Sequence, residues 1–288
     1  MGGTDRGTIQ IREGYLPVGE KIELWFRWFQ PASRPGACVL FIHGFTEHSG
    51  RYSELMRLLS DSGFGVLAAD LRGHGRSAGG RTVIRRFAEY LADLEHAVQW
   101  LRAEVPETSL VVMGHSLGGL IAALWAANSS GKAQGLVLSA PAVQIGAGVF
   151  PLIRHLAALG SLIIPRVRLV RLGVRGLSQD PAVVQDFLQD PLVFHGRIPL
   201  RSGAEILRNA RRLRQQAARI SLPLLILHGT ADRMTDPRGS QELFEKALSP
   251  DKTLRLYPGL YHDLFHEPQA SRVYADLLDW LERRWGRV

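Results

Sequence analysis

The chain carries two G-x-S-x-G segments, Gly114-His115-Ser116-Leu117-Gly118 and Gly75-Arg76-Ser77-Ala78-Gly79. A serine between two glycines can serve as a covalent nucleophile when a sharp strand-to-helix turn lifts its hydroxyl clear of the backbone; the glycines keep that turn free of clashes. Ser116 has this context, with the apolar run LVVM before it and GLIAALWAA after it. Ser77 follows its nearest apolar run by seven residues and precedes Gly79-Gly80-Arg81, so it reads as a loop residue. A serine hydroxyl is a poor nucleophile near neutral pH and needs an adjacent base, here an imidazole oriented by a carboxylate. Two later loops offer these groups: LLILHG runs into Thr230-Ala231-Asp232, and LRLYPG runs into Leu260-Tyr261-His262. Asp236 is a rival acid that reads better as the cap of the next helix. His266 reads as a surface or cap residue, His228 as a packed or hydrogen-bonded one, and His43 as a residue that fixes its loop. The spacing favours Ser116, Asp232 and His262 for acyl transfer. Two main-chain donors must then hold the oxyanion, one following the nucleophile and one in an earlier strand-end loop; these are Leu117 and Phe45.

Such groups converge only if strands deliver them to one edge. TIQIREGY (8–15) and KIELWFRWFQ (21–30), joined through Pro-Val-Gly, predict an antiparallel hairpin. CVLFIHG, FGVLAAD (64–70), LVVMG (110–114), GLVLSA (135–140), LPLLILHG (222–229) and TLRLYPG (253–259) predict strands, several of them apolar throughout as in a sheet covered on both faces. Helical spacing is expected near 52–63, 85–103, 117–128, 205–217, 238–247 and 269–285. This alternation implies an α/β fold with a mainly parallel sheet and helices on both faces. It breaks at 144–204, read as a mostly helical insertion lying as a cap over the carboxyl ends of the strands, where open α/β sheets bind ligands. The expected organisation is a core over 1–143 and 205–288 with a cap over 144–204.

These residues and segments resemble the α/β-hydrolase superfamily and, within it, the monoacylglycerol lipase and lysophospholipase group. The resemblance spans nearly the whole chain, through HGFTEHSGRY (43–52), DLRGHGRS (70–77), GHSLGG (114–119), GLSQDPAVVQDFLQDPLVFHG (176–196), HGTADRMTDP (228–237) and DKTLRLYPGLYHDLFHE (251–267). It implies the α/β-hydrolase fold, an eight-stranded sheet with a helical cap, the triad Ser116–Asp232–His262, and Phe45 and Leu117 as oxyanion donors. It also implies an apolar cap that meets lipid. Phe45 stands where relatives often carry a small residue, and residues 144–175 hold no recognised motif. The expected reaction is hydrolysis of lipid carboxylic esters, foremost monoacylglycerol to glycerol and fatty acid. The alternatives are a broad carboxylesterase or a lysophospholipase, then a proline-type aminopeptidase or a non-catalytic ligand receptor. Phe150, Ile153, Leu156, Leu159, Ile163 and Ile164 are candidate walls of an acyl channel, with core packing of the cap as the alternative. By analogy with the family, Glu47 and Arg51 are candidates for placing the headgroup, with loop structure as the alternative.

The 288 residues are 45% hydrophobic and 22% charged, which excludes disorder over most of the length and supplies a sizeable core. Cys38 is the one cysteine, so neither a disulfide framework nor a cysteine-rich zinc site is expected. No H-E-x-x-H pattern occurs, and no metal or cofactor is expected. The N-terminus lacks a long apolar run and no stretch reaches a membrane-spanning length, so the reading is cytoplasmic, peripheral to a membrane. The net charge of +8 is concentrated: residues 144–219 hold 12 arginines, no lysine and four acids (Asp180, Asp186, Asp190, Glu205), and the remainder is neutral. Without a nucleic-acid module, such a segment fits contact with an anionic lipid surface rather than nucleic acid.

Overall fold

A computed structural model describes residues 8–129, 131–146, 168–174 and 176–286. Its strands are β1 (Gln10–Pro17), β2 (Glu23–Gln30), β3 (Ala37–Ile42), β4 (Gly65–Ala69), β5 (Ser109–His115), β6 (Gly135–Ser139), β7 (Arg168–Val170), β8 (Ile198–Pro199), β9 (Leu224–Gly229) and β10 (Lys252–Tyr257). The main described helices are α1 (Ser53–Asp61), α2 (Ala88–Glu104), α3 (Leu117–Ala126), α4 (Pro181–Gln189), α5 (Leu200–Gln216), α6 (Pro237–Lys246) and α7 (Ala270–Trp285). Eight strands form one sheet in the order β1-β2-β4-β3-β5-β6-β9-β10. The expected hairpin is present, with Pro17 opposite Glu23, and β2 also runs antiparallel to β4; every other pairing in this sheet is parallel.

The apolar strands are buried because helices cover both faces. Leu40, Ile42, Val112, Leu136, Leu138 and Ile226 point into one core, and their neighbours Val39, Phe41, Val111, Met113, Val137 and Leu227 into the other. This two-residue alternation is the side-chain period of a strand, applied to unbroken apolar runs. Parallel strands share a carboxyl edge, so the loops after β3, β5, β9 and β10 open on the same side. These are the loops that carry Phe45, Ser116, Asp232 and His262.

The insertion differs in part from the helical reading. Its described portion holds helix α4, capped by the Asp180 carboxylate on Ala182 N–H, and the short antiparallel pair β7–β8. The helix expected from 205 begins at Leu200, inside the stretch assigned to the insertion. Ser202 hides this start: its hydroxyl accepts from Ile84 N–H and donates to the Thr82 carbonyl, so a residue that reads as loop is a long-range tie. The proposed lid and channel residues Phe150, Ile153, Leu156, Leu159, Ile163 and Ile164 lie outside the described residues, as do Arg166 and Arg175. Among the described residues no helix is long and apolar enough to cross a membrane.

Candidate active site

Ser116 sits between the end of β5 and the first residue of α3, with φ 53° and ψ −114°. Positive φ is strained for a residue with a side chain and costs on the order of 1–3 kcal/mol. The fold enforces it from both sides. A Cβ at Gly114 would fall on the Gly118 backbone, and one at Gly118 would fall on the carbonyl oxygens of Ile42 and His43. Ser116 N–H donates to the Ser139 carbonyl at 2.9 Å, which pins the turn to β6. Ser77 has no such geometry. Its hydroxyl donates to the Asp70 carbonyl (2.6 Å) and accepts from Trp25 N–H (2.8 Å), so it fastens its loop to β2.

Asp232 lies in the turn after β9 and is buried. Its Oδ1 accepts from the backbone N–H groups of Met234 (2.7 Å) and Thr235 (3.0 Å). Its Oδ2 accepts from His262 Nδ1 (2.7 Å), His228 Nε2 (3.1 Å) and the Thr235 hydroxyl (2.7 Å). Burial alone would raise the Asp232 pKa, but His262 and these hydrogen bonds hold it well below the usual carboxylate range. A carboxylate only accepts, so His262 carries its proton on Nδ1 and Nε2 is left as the basic nitrogen. Burial by itself would lower the His262 pKa; the charge and hydrogen bond of Asp232 outweigh it, and the pKa is raised. His115, 4.8 Å from His262 between ring centroids, is pushed down to about 3 by burial and by His262, so it adds no competing positive charge.

Asp236 caps α6 through Arg238 N–H at 3.0 Å and pairs with the Arg238 guanidinium. His43 donates from Nδ1 to the Gly44 carbonyl and accepts Leu71 N–H at Nε2, bracing the loop after β3. Phe45 and Leu117 both line the cavity that holds Ser116 and His262, and no described hydrogen bond uses either amide. Leu117 is the first residue of α3, where helical N–H groups lack internal partners. Gly44 lies against Ser116: a Cβ there would be 3.3 Å from the Ser116 Cβ. The cavity has a volume of about 490 Å³, and Ile145, Leu172, Val174, Phe187 and Met234 give it apolar walls.

Glu47 and Arg51 are engaged in holding loops. The buried Glu47 Oε1 accepts from Gly44 N–H (2.6 Å) and the Tyr52 hydroxyl (2.8 Å), and its Oε2 meets Arg51 (3.2 Å). Arg51 also pairs with Asp263 (2.9 Å) and lies over the Phe187 ring. Asp263, fully buried, accepts in turn from His266 Nδ1 at 2.7 Å. Burial would raise the Asp263 pKa, and His266 and Arg51 hold it far down. Sequence reasoning did not find Asp263, Thr235 or this network. Thr235 had a local signal, since a residue three after an aspartate commonly offers its N–H to that side chain. Asp263 and Arg51 stand 212 positions apart and had none. Among the described residues no group of three or more His, Cys, Asp or Glu side chains is placed to hold a metal ion.

The arrangement can hold an acyl carbonyl between a strained serine, an imidazole oriented by a carboxylate, and two free main-chain amides. Comparison with known proteins points the same way. A family model, Hydrolase_4, described as "Serine aminopeptidase, S33", matches residues 33–269. The chain is 35% identical over 251 residues to a monoacylglycerol lipase of Mycolicibacterium smegmatis, covering 87% of this chain and 90% of that one. It is 34% identical over 264 residues to human monoglyceride lipase, covering 91% and 87%. The crystal structure of the Paleococcus ferrophilus monoacylglycerol lipase superposes with a TM-score of 0.82 at 34% identity, covering 90% of this chain and 98% of that one.

Proposed function

Because the chain belongs to the α/β-hydrolase family of monoacylglycerol lipases, a family of carboxylic ester hydrolases, we propose that it cleaves monoacylglycerols to glycerol and fatty acid through an acyl-enzyme on Ser116. One observation carries the assignment of residues: the strained Ser116 lines the same cavity as His262, and His262 is held at Nδ1 by the buried Asp232. Ser116 Oγ attacks the ester carbonyl as His262 Nε2 takes its proton. Asp232 keeps the imidazole in that tautomer and stabilises its charged form. The Phe45 and Leu117 amides receive the oxyanion, each such donor being worth about 10²–10³ in kcat. His262 returns the proton to the departing glycerol, and water then releases the acid by the same sequence. The apolar walls favour a long acyl chain, at about 0.8 kcal/mol for each buried CH₂.

The matching family model also covers aminopeptidases, which need carboxylates to hold a free amino terminus. Glu47 is the one acid among the described residues of the cavity wall, and its oxygens are taken by Gly44, Tyr52 and Arg51. That favours a neutral or acidic ligand over an amine. The test is Ser116→Ala: hydrolysis of a monoacylglycerol and labelling by a fluorophosphonate should both vanish while the fold is retained. Undiminished hydrolysis in this variant would overturn the assignment. The excess of arginine over 144–219 supports transient contact with anionic membranes. Salt-sensitive binding to anionic vesicles and not to neutral ones is the expected result, and equal binding to both would count against it.

A further inference from the structure

Arg171 lines the cavity that holds Ser116 and His262. It is the one lysine or arginine on the described wall. Its Nε donates to the His195 carbonyl at 2.7 Å, which fixes the base of the guanidinium and leaves the two terminal nitrogens without a described partner. No described carboxylate lies within ion-pair distance of it. Nor does the chain on either side supply one, because residues 144–179 contain Arg154, Arg166, Arg168, Arg171 and Arg175 and no aspartate or glutamate. Arg168 next to it also turns to backbone carbonyls, those of Arg197 and Arg81. Glu47, the one acid among the described residues of the wall, is taken up within its own loop. A planar donor fork on the wall of a cavity that holds no other lysine or arginine among its described residues is suited to a carboxylate or phosphate, which it binds through two parallel hydrogen bonds.

We propose that Arg171 makes the catalytic cavity selective for esters that carry an anionic group, a phosphate or carboxylate, within reach of its guanidinium. The anion comes either on the alcohol side of the ester, as a phosphorylated headgroup, or at the far end of the acyl chain, as the second carboxylate of a dicarboxylic monoester. This inference rests on the ester-hydrolase reading. Three substrates separate the cases: 1-oleoylglycerol, 1-oleoyl-lysophosphatidylglycerol, and the glycerol monoester of a long α,ω-dicarboxylic acid. In Arg171→Gln, kcat/KM for one of the two anionic esters should fall at least about tenfold more than for 1-oleoylglycerol, the scale of a lost charge-assisted hydrogen bond. Arg171→Lys should recover part of that ratio, and added salt should lower it in the wild type. A purely structural role through His195 would lower all three substrates together. An anionic-to-neutral ratio that stays the same in Arg171→Gln, with 1-oleoylglycerol still cleaved by the wild type, overturns this inference alone. Failure of the wild type to cleave any of the three overturns the ester-hydrolase reading itself.

Discussion

Replacing Asp232 by asparagine separates charge from shape. Two oxygens of Asp232 do different work: Oδ1 faces the fixed backbone N–H groups of Met234 and Thr235, and Oδ2 faces His262, His228 and the Thr235 hydroxyl. Backbone donors cannot turn away, so an asparagine places its carbonyl oxygen at the Oδ1 position and its NH₂ at the Oδ2 position. The NH₂ donates toward His262 Nδ1, and the imidazole must accept there. Its proton then sits on Nε2, the nitrogen that has to take the proton of Ser116. The wrong tautomer and the lost negative charge together should lower kcat by about 10⁴-fold, or about 5.4 kcal/mol of transition-state stabilisation. The variant should remain folded, since the turn keeps its two backbone hydrogen bonds. A p-nitrophenyl ester assay at pH 8, with a thermal melt of the same preparation, reads both outcomes. Asp236→Ala is the control: it removes a helix cap, costs about 1 kcal/mol of stability and leaves catalysis near the wild-type rate. If Asp232→Asn kept kcat within tenfold of the wild type while Asp236→Ala lost activity, Asp236 would be the acid and the reasoning would be wrong.

Because Asp232 raises the His262 pKa, the base is free only above the ordinary histidine value near 6.5, so kcat/KM should climb with pH through a midpoint above that value; a midpoint at or below 6 speaks against the pairing. Asp263→Ala strands Arg51 and His266 in a site where Asp263 is fully buried, and should cost about 3–5 kcal/mol in urea unfolding. A cost under about 1 kcal/mol would mean that the pair contributes little. Gly118→Ala drives a methyl onto the Ile42 and His43 carbonyls and should abolish activity or folding, whereas Gly19→Ala, with open space around it, should change stability by less than about 0.5 kcal/mol. Equal behaviour of the two alanine variants in expression and melting would contradict the packing at the turn.

The parts of the site legible in the sequence are those that local backbone geometry dictates. Ser116 stands out because the turn admits only glycine at 114 and 118, Asp232 because it follows the buried strand β9, and His262 because it follows the next strand, β10. The two-sided burial of β3, β5, β6 and β9 was equally legible, since each carries an unbroken apolar run of three or more residues. What escaped detection depends on partners distant in sequence or on elements too short for a period. The β7–β8 pair has three and two residues, too few to alternate. Helix α5 starts at Leu200 behind Ser202 and Gly203, which read as loop until Ser202 is seen bridging to Thr82 and Ile84. Glu47 and Arg51 stand in a motif that suggests ligand contact, yet their charges are satisfied by Gly44, Tyr52 and Asp263. Charge alone does not distinguish a residue that waits for a ligand from one that holds the loop around it; the partners do.

The described part of the insertion is joined to two loops of the candidate site. Phe194 N–H donates to the Thr46 carbonyl (2.7 Å), and His48 pairs with Asp190 (2.8 Å), tying the insertion to the loop after β3. His262 N–H donates to the Gly176 carbonyl (3.2 Å) and Asp263 N–H to the Leu177 carbonyl (2.8 Å), tying it to the loop after β10. At about 1 kcal/mol net for each hydrogen bond, lifting residues 176–194 as a unit would cost several kcal/mol. It would also release the two loops that must hold their geometry within a fraction of an ångström for the chemistry. Residues 176–194 are therefore tied into the frame of the candidate site, and Phe187, which carries the Arg51 guanidinium on its ring, is one of its walls. Among the described residues, the rim from Arg171 to Val174 joins this frame through the Arg171–His195 hydrogen bond, the Leu177–Val174 turn and the packing of Val174 against Leu177, Phe187 and Val193.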